Sequence, residues 1–362
     1  MGSVFAVSDL TKKANIMSHE LSIRANGKTE MAFVGETPWH GLGQNVTQGA
    51  SLGVWAKEAG MDWRAVESPV FAFGASAPAK EYGHEVINFS DHKALYRSDT
   101  QAPLSIVGAG YEVVQPLDVL EFFRDMTEQG GWHIHTAGVL RGGRKLWAMA
   151  SNGDRGAIGS DGKDVVYPNL LLATSLDGSL RTTAKLTSVR VVCANTVSFA
   201  LNGGGKAVTL SHRSVFDPSA IKRALGVAID SFKVFMAAAT EMAATPIDLD
   251  EAREVLDRVF QTQAIVKPAL DLSWLAKLGD APVIPDDAGK ETRVVTAVLD
   301  LFEGAGRGAT MKSSKGTRWG LLNAVTEQVD HNMGRSDDTR LDAAWFGRGD
   351  GFKNRAWAEL VA

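Results

Sequence analysis

Residues 170–201 read LLLATSLDGSLRTTAKLTSVRVVCANTVSFAL, and the first half of this stretch has the pattern of a β-hairpin. An apolar run at 170–174 is followed by Asp177-Gly178, a pair that tolerates the positive φ angles of a two-residue turn. Residues 180–186 then alternate as a half-buried strand does. With Asp177-Gly178 as the loop, one face is predicted to hold Leu171, Ala173, Leu180, Thr182, Ala184 and Leu186, and the other Arg181, Thr183 and Lys185.

The second half of this stretch has the spacing of a helix. Apolar side chains recur every three to four positions over 189–200, and Thr187 or Ser188 is suited to cap the start. The run Asn-Gly-Gly-Gly at 202–205 is typical of a helix end. The spacing therefore predicts a helix after the hairpin, with the chain's single cysteine, Cys193, on its buried side.

The sequence around this stretch predicts an α+β fold. Pro116 opens a helix and residues 132–150 form a second hairpin across Gly142-Gly143, so that 117–201 reads helix, four antiparallel strands, helix. Beyond Asp217 the apolar periodicity is helical. We expect an N-terminal extension (1–16), an antiparallel sheet with covering helices (17–216), and a mainly helical region (217–362) with a mobile basic loop at 304–318.

Positive charge is distributed unevenly along the chain. The net charge is −4, yet the segments 129–153, 178–216 and 304–326 contain no Asp or Glu and together carry twelve Lys and Arg side chains. A fold that brings these segments together forms a connected basic surface on an acidic body, whereas the alternative is that the charges only solvate the protein. The residues predicted to bind nucleic acid are Arg141, Arg144, Lys145, Arg181, Lys185, Arg190, Lys312, Lys315 and Arg318.

Composition and motifs narrow the class of protein. A chain of 362 residues with 44% apolar residues builds a sizeable core, and a single cysteine suits a reducing cytoplasm. No apolar run is long enough for a membrane helix, so we expect a cytoplasmic protein without a membrane partner. The glycine-rich stretch at 304–317 lacks the order of a Walker loop and no hydrolase motif is present, which favours a non-enzymatic protein.

One helical face is the best enzymatic candidate. Asn323, Glu327 and His331 are spaced four residues apart within 316–331 and fall on the same side of a helix. Glu and His at this spacing can both bind a divalent metal, and the alternative is a Glu–His pair with other polar contacts. We expect this face to point inward and hold either a cation or the basic loop before it. Nucleic-acid binding itself requires no cofactor.

Three segments together resemble a known family. They are Met17-Ser18-His19 with PWHGLG at 38–43, LDGSLRTTAKLTSVRVVCANT at 176–196, and GTRWGLLNAVTEQVDH at 316–331. From about Met17 to its C-terminus, the chain resembles the phage/plasmid-like proteins grouped as domain-of-unknown-function family 932. The resemblance implies an origin in a mobile element and no established chemistry.

The pattern over 117–201 is also similar, at the level of fold, to single-strand annealing recombinases of mobile elements. Their core is a helix and an antiparallel sheet backed by a helix, and they form rings with a basic groove. We therefore predict that a homo-oligomer binds single-stranded DNA or RNA, with annealing or recombination of DNA as the finer function. Two alternatives stay open: a metal-dependent enzyme acting on nucleic acid or nucleotide, and an interaction protein that counters host defence or regulates replication.

Overall fold

The computed structural model describes residues 23–24, 26–35, 42–73, 86–129, 131–190, 195–198, 207–225, 228–260, 288–333 and 343–362. The predicted extension at 1–16 and Cys193 lie outside these ranges. The strands are β1 (Met31–Phe33), β2 (Gln44–Asn45), β3 (Ala65–Phe73), β4 (Val86–Arg97), β5 (Pro103–Gly108), β6 (His133–Leu140), β7 (Lys145–Ser151), β8 (Gly156–Ile158), β9 (Asp164–Ser175), β10 (Thr182–Arg190), β11 (Asn195–Ser198) and β12 (Val208–Leu210). The helices are α1 (Leu52–Ala59), α2 (Pro116–Glu121), α3 (Arg124–Gln129), α4 (Pro218–Leu225), α5 (Ala228–Ala244), α6 (Leu249–Phe260), α7 (Ala288–Asp300), α8 (Arg318–Glu327) and α9 (Arg348–Val361).

The strands form two sheets within the described ranges. The main sheet has the order β11-β10-β9-β7-β6-β1-β2, with β12 also paired to β10 and β8 to β9, and the small sheet has the order β3-β4-β5. All pairs are antiparallel except β1 with β2. Helices dominate from α4 onward, so the predicted α+β class with a mainly helical C-terminal region is confirmed. None of the helices in the described ranges combines the length and the apolar composition needed to cross a membrane.

The helix predicted after the first hairpin is wrong. β10 continues to Arg190, which still pairs with Val166 of β9, and β11 returns antiparallel beside β10. A strand buried on both faces has a continuous apolar run rather than an alternating one, and such a run is easily mistaken for helical spacing. Residues 187–197 are also rich in Val and Thr, whose β-branched side chains pack well on a pleated sheet.

The register of the β9–β10 hairpin differs from the prediction by one residue. The Ser175 hydroxyl accepts a hydrogen bond from Leu180 N at 3.1 Å and donates one to Leu180 O at 2.9 Å, which widens the loop beyond Asp177-Gly178. A slip of one residue exchanges the two faces of a strand, so Lys185 lies on the face of Leu171. The pairs that define the register are Thr183 with Ala173, Ala184 with Leu172, and Lys185 with Leu171.

The predicted hairpin across Gly142-Gly143 is confirmed as β6 and β7. Near the turn the strands pair in the predicted register, with Gly138 opposite Trp147. A β-bulge between Ile134 and Thr136 shifts the far end. Ile134 therefore lies opposite Ala150, on the face away from Trp147.

Both faces of the main sheet are covered. The larger hydrophobic cluster includes Trp55 of α1, Leu120 of α2 and Leu360 of α9, so the C-terminal helices share a core with the sheet. The second face carries a smaller cluster, against which Trp345 and Phe346 pack. The buried residues of this second face are Met31, Leu140, Trp147, Met149, Leu171 and Ala173. A domain boundary near residue 217 stays a prediction.

Candidate functional site

Two hairpin turns lie side by side at one end of the main sheet. One is the β6–β7 turn, which includes Arg141–Gly143, and the other is the β9–β10 turn at 176–181. Leu176 N donates a hydrogen bond to Arg144 O at 2.7 Å, which joins the two turns directly. Because β7 and β9 are neighbours, the centres of the turns are about 10 Å apart.

A third loop, which follows β12, reaches the same end of the sheet. His212 Nε2 donates a hydrogen bond to Leu180 O at 2.8 Å, and its ring stacks on Tyr111 with 4.4 Å between centroids. The Tyr111 hydroxyl in turn donates to Ser175 O at 2.9 Å. Burial raises the pKa of Tyr111, which keeps this hydroxyl a donor at neutral pH. These contacts hold Arg213 beside the turn that carries Arg181.

The three loops carry four exposed arginines, which we call the arginine edge: Arg141, Arg144, Arg181 and Arg213. Within the part of the chain that the structure describes, the guanidinium groups of Arg144, Arg181 and Arg213 form no ion pair or hydrogen bond. A guanidinium group presents a planar fork of donors that matches a phosphate or a carboxylate. The arginine edge is therefore suited to bind an extended anion.

Asp177 lies in the β9–β10 turn and is engaged within that turn. Its Oδ1 accepts a hydrogen bond from Ser179 N at 2.9 Å. Burial opposes the charge of Asp177, but hydrogen bonds from Ser179 and Ser175 and the charge of Lys145 lower its pKa overall. The carboxylate is thus ionised, and it stabilises the turn by accepting the hydrogen bond from Ser179 N.

The backbone of Arg141 is strained. Its φ angle is 55°, in the left-handed region where L-residues other than Asn, Asp and Gly are uncommon. This conformation costs about 1 kcal/mol for a residue with a Cβ atom. Glycine is the residue that adopts this conformation without strain.

Several of the predicted nucleic-acid-binding cations do not lie on a connected surface. Lys145 and Lys185 are each 5% exposed, because the strand register directs them to the second face. Lys312 and Lys315 are exposed, but Ser313 between them donates to Asp164 at the start of β9, whereas the arginine edge adjoins the end of β9. The length of β9 separates the two sites by about 35 Å. The expectation of one basic surface is wrong for these four lysines.

The other two predicted cations also differ from the arginine edge. Arg318 is half-buried, and its Nη1 donates a hydrogen bond to Leu360 O at 3.2 Å. Arg190 is the last residue of β10, and its side chain lies outside the described part of the chain. Arg213, which sequence reasoning did not select, joins the edge because β12 pairs with β10, a long-range contact with no local signal.

The predicted mobile loop at 304–318 is held by buried contacts. Asp164 has no exposed surface, and its Oδ2 accepts hydrogen bonds from Ser313 Oγ at 2.6 Å and Trp319 Nε1 at 3.0 Å. Arg307 N donates to Glu327 Oε2 at 2.9 Å. The loop is therefore attached to β9 and to α8. An isolated aspartate such as Asp164 gives no sequence signal for this role.

The polar face of α8 and of the helical turn after it is buried, as its spacing predicts. Asn323, Glu327 and His331 are 5%, 7% and 8% exposed. Glu327 binds the basic loop through Arg307, and Asn323 Nδ2 donates to Trp319 O at 2.8 Å. Across the described ranges, no three His, Cys, Asp or Glu side chains cluster so that they could hold a metal ion. The contacts favour the loop-holding alternative, and a divalent cation at this face stays a prediction.

Residues 103–345 match the model of a family described as Domain of unknown function (DUF932). The chain belongs to the DUF932 family. No curated protein and no solved structure matches the chain. The DUF932 match begins at β5 and includes the arginine edge, the loop at 304–318 and α8, and the family description assigns no activity. The similarity to annealing recombinases stays a prediction.

The DUF932 match ends at Trp345, beside two ion pairs with buried lysines that sequence reasoning missed. Lys185 Nζ lies 3.2 Å from Asp350 Oδ1, and Lys353 Nζ lies 2.7 Å from Asp330 Oδ1. Burial lowers the pKa of Lys185, although the charge of Asp350 raises it. The partners Lys185 and Asp350 are 165 positions apart, so only the tertiary fold reveals the pair. The first pair attaches α9 to β10 of the sheet, and the second attaches it to the helical turn after α8.

Proposed function

We propose that this protein binds single-stranded nucleic acid through the arginine edge. The observation that carries the proposal is the gathering of Arg144, Arg181 and Arg213 from three separate loops, with no ion pair among the described residues. Exposed guanidinium groups on a chain of net charge −4 form a local site for anions. Bidentate hydrogen bonds to phosphate oxygens are the interaction that arginine makes best.

The shape of the arginine edge favours a single strand over a duplex. Sequence is read in the major groove by an inserted helix or β-ribbon. The arginines here lie on short turns around the end of a sheet, where they can follow the flexible backbone of a single strand. Contacts of this kind are made to phosphates, and they position the nucleic acid without reading its bases. We expect affinity that depends weakly on sequence.

A fluorescence-anisotropy titration tests this proposal. We expect a labelled single strand to bind more tightly than the matching duplex. The variant Arg144→Gln with Arg181→Gln removes two phosphate contacts, each worth about 5-fold in affinity near 0.1 M salt. The double variant should therefore bind the single strand about 25-fold more weakly than the parent protein.

The matched control is Arg253→Gln with Arg293→Gln, which removes the same charge from exposed positions on α6 and α7. We expect the control to bind within about 2-fold of the parent, since long-range electrostatics alone is screened. Equal affinities of the parent and the Arg144/Arg181 variant would contradict binding at the arginine edge. Equal losses in both double variants would indicate a general charge effect rather than a site.

The finer proposal is annealing or recombination of DNA in the cytoplasm of a cell that carries a phage or plasmid. It is supported by the resemblance of residues 176–196 and 316–331 to phage/plasmid-like proteins, and by an antiparallel sheet with covering helices. Annealing by phosphate contacts consumes no nucleotide and requires no cofactor. A strand-annealing assay with complementary labelled strands tests it, and a protein that binds both strands without accelerating their pairing would limit the function to binding.

A further inference from the structure

The far end of the β3–β4 hairpin extends beyond the rest of its sheet. Here Phe71 pairs with Asn88, and Phe73 pairs with Val86. β5 pairs with β4 only from His92 onward, and its last contact is Ala109 N with Asp91 O at 2.8 Å. We call the end of this hairpin, 71–73 and 86–90, the β-arm; residues 86–88 pair with 71–73, and beyond Asn88 the register shifts. Within the described ranges, its 86–90 edge has no partner strand on the side of β5.

The β-arm exposes large apolar side chains on both of its faces. Phe71 and Val86 share one face and are 51% and 54% exposed. Ile87 lies on the other face and is 47% exposed, and Phe89 is 42% exposed. Every residue from 86 to 92 is exposed. A ribbon with apolar residues open to water on both faces is an unusual feature of a protein surface.

Such a ribbon is not expected to be stable without a partner. Two isolated strands are marginally stable in water, and a third strand or a packed surface is normally required. Natural edge strands are protected against pairing by Lys, Pro, inward charges or bulges. Residues 86–90 read VINFS and contain no charged residue and no proline, and the register shift of the β3–β4 hairpin lies beyond Asn88. The edge is therefore open to addition of a further strand.

We propose that the β-arms of two copies of this chain pair along this edge, antiparallel about a two-fold axis at Asn88, and so form a homodimer. In this register Ile87 lies opposite the partner's Phe89, a cross-strand pair of a β-branched and an aromatic side chain that stabilises sheets. The same residues face each other from both copies, as an isologous interface requires. The inference goes beyond the proposed function, because it involves no nucleic acid.

Charge supports a second copy over the other possible occupants. The free edge at 86–90 carries no charged residue. The next residue is Asp91, whose Oδ1 lies 2.9 Å from Nδ1 of His92. Lipid surfaces and nucleic acids are bound by segments that carry Lys and Arg, which the edge at 86–90 lacks. A neutral apolar strand of the same composition is complementary to it.

The exposed area also fits a dimer. The four large side chains, each about half exposed, present on the order of 350 Å² of apolar surface. A standard interface buries about 800 Å² per partner, of which roughly 450 Å² is apolar. The β-arm therefore presents about three quarters of the apolar area of a standard interface. The β-arm is thus large enough to be the centre of a stable interface.

Sedimentation velocity of the full chain tests the proposal. We expect the parent to sediment as a dimer at micromolar concentration. The arm variant Ile87→Lys with Phe89→Lys places charges directly across the two-fold axis, and should weaken the dimer at least 100-fold, so that the variant sediments as a monomer. The matched control is Val234→Lys with Leu249→Lys, on helices α5 and α6, where the parent side chains are 65% and 45% exposed. The control should remain a dimer.

Two further readouts keep the test decisive. Far-UV circular dichroism should show that the arm variant is folded, since its substituted side chains are exposed, while its unfolding midpoint should no longer depend on protein concentration. In the proposed register Asn88→Cys brings two sulfur atoms within disulfide range, so mild oxidation should yield a covalent dimer. Ser179→Cys, in the exposed β9–β10 turn, should not. A monomeric parent, a folded arm variant that stays dimeric, or absence of the cross-link in the Asn88→Cys variant would each overturn the proposal.

Discussion

The arginine edge and the second face of the main sheet place cations from the same two hairpins in opposite environments. Arg181 and Lys185 are four residues apart, yet Arg181 is exposed while Lys185 is 5% exposed and paired with Asp350. Arg144 is likewise exposed, while the adjacent Lys145 is 5% exposed. In each pair, the arginine lies in a turn and the lysine within a strand.

The number of cations in an acid-poor segment therefore does not predict how many of them lie on a binding surface. Strand alternation and register decide which charges reach solvent, and a shift of one residue exchanges the faces. Lys185, which points inward, attaches α9 to the sheet, whereas Arg144 and Arg181 at the turns are available to a ligand. The following changes are expected to separate these two roles.

The largest effect on stability is expected for Lys185→Met. This change removes a buried cation from a partly buried pair and leaves Asp350 and Trp345 O without this donor, which costs about 3 kcal/mol. Arg181→Gln should change the free energy of unfolding by less than about 0.5 kcal/mol, because the side chain is exposed. Urea unfolding followed by circular dichroism measures both. Similar values for the two variants would remove the distinction between the two groups of cations.

A smaller and opposite effect is expected for Arg141→Gly. Glycine adopts a φ angle of 55° without strain, so the free energy of unfolding should rise by about 1 kcal/mol, offset in part by the greater entropy of the unfolded chain. Loss of one phosphate contact should at the same time weaken binding of a single strand about 5-fold near 0.1 M salt. Urea unfolding and anisotropy measure the two effects. A variant that is less stable and binds normally would show that Arg141 has a structural role.

Much of the fold was predictable from local patterns. Glycine-containing turns flanked by apolar segments predicted the two central hairpins, and the apolar periodicity beyond residue 217 predicted the C-terminal helices. The helix expected after Thr187 was wrong because a strand buried on both faces has no alternation to reveal it. The register error had a local cause, since the Ser175 hydroxyl replaces a backbone partner and widens the turn.

Less of the candidate site was predictable. Arg141, Arg144 and Arg181 were selected from sequence because they lie in segments without Asp or Glu, which is also why the buried Lys145 and Lys185 were selected. Arg213 depends on the pairing of β12 with β10, and Asp350 is 165 positions from Lys185. Contacts across such distances arise from tertiary packing, which has no counterpart in local periodicity.

The salt dependence of single-strand affinity is the most direct test of phosphate binding at the arginine edge. Each phosphate contact contributes about 0.7 to the slope of log affinity against log salt for a single strand, so four arginines predict a slope of about −2.8. Affinity should then fall about 50-fold between 50 and 200 mM salt, and the slope should become about −1.4 in the Arg144→Gln, Arg181→Gln variant. A nearly flat response of the parent, or a slope unchanged in the variant, would contradict binding at the arginine edge.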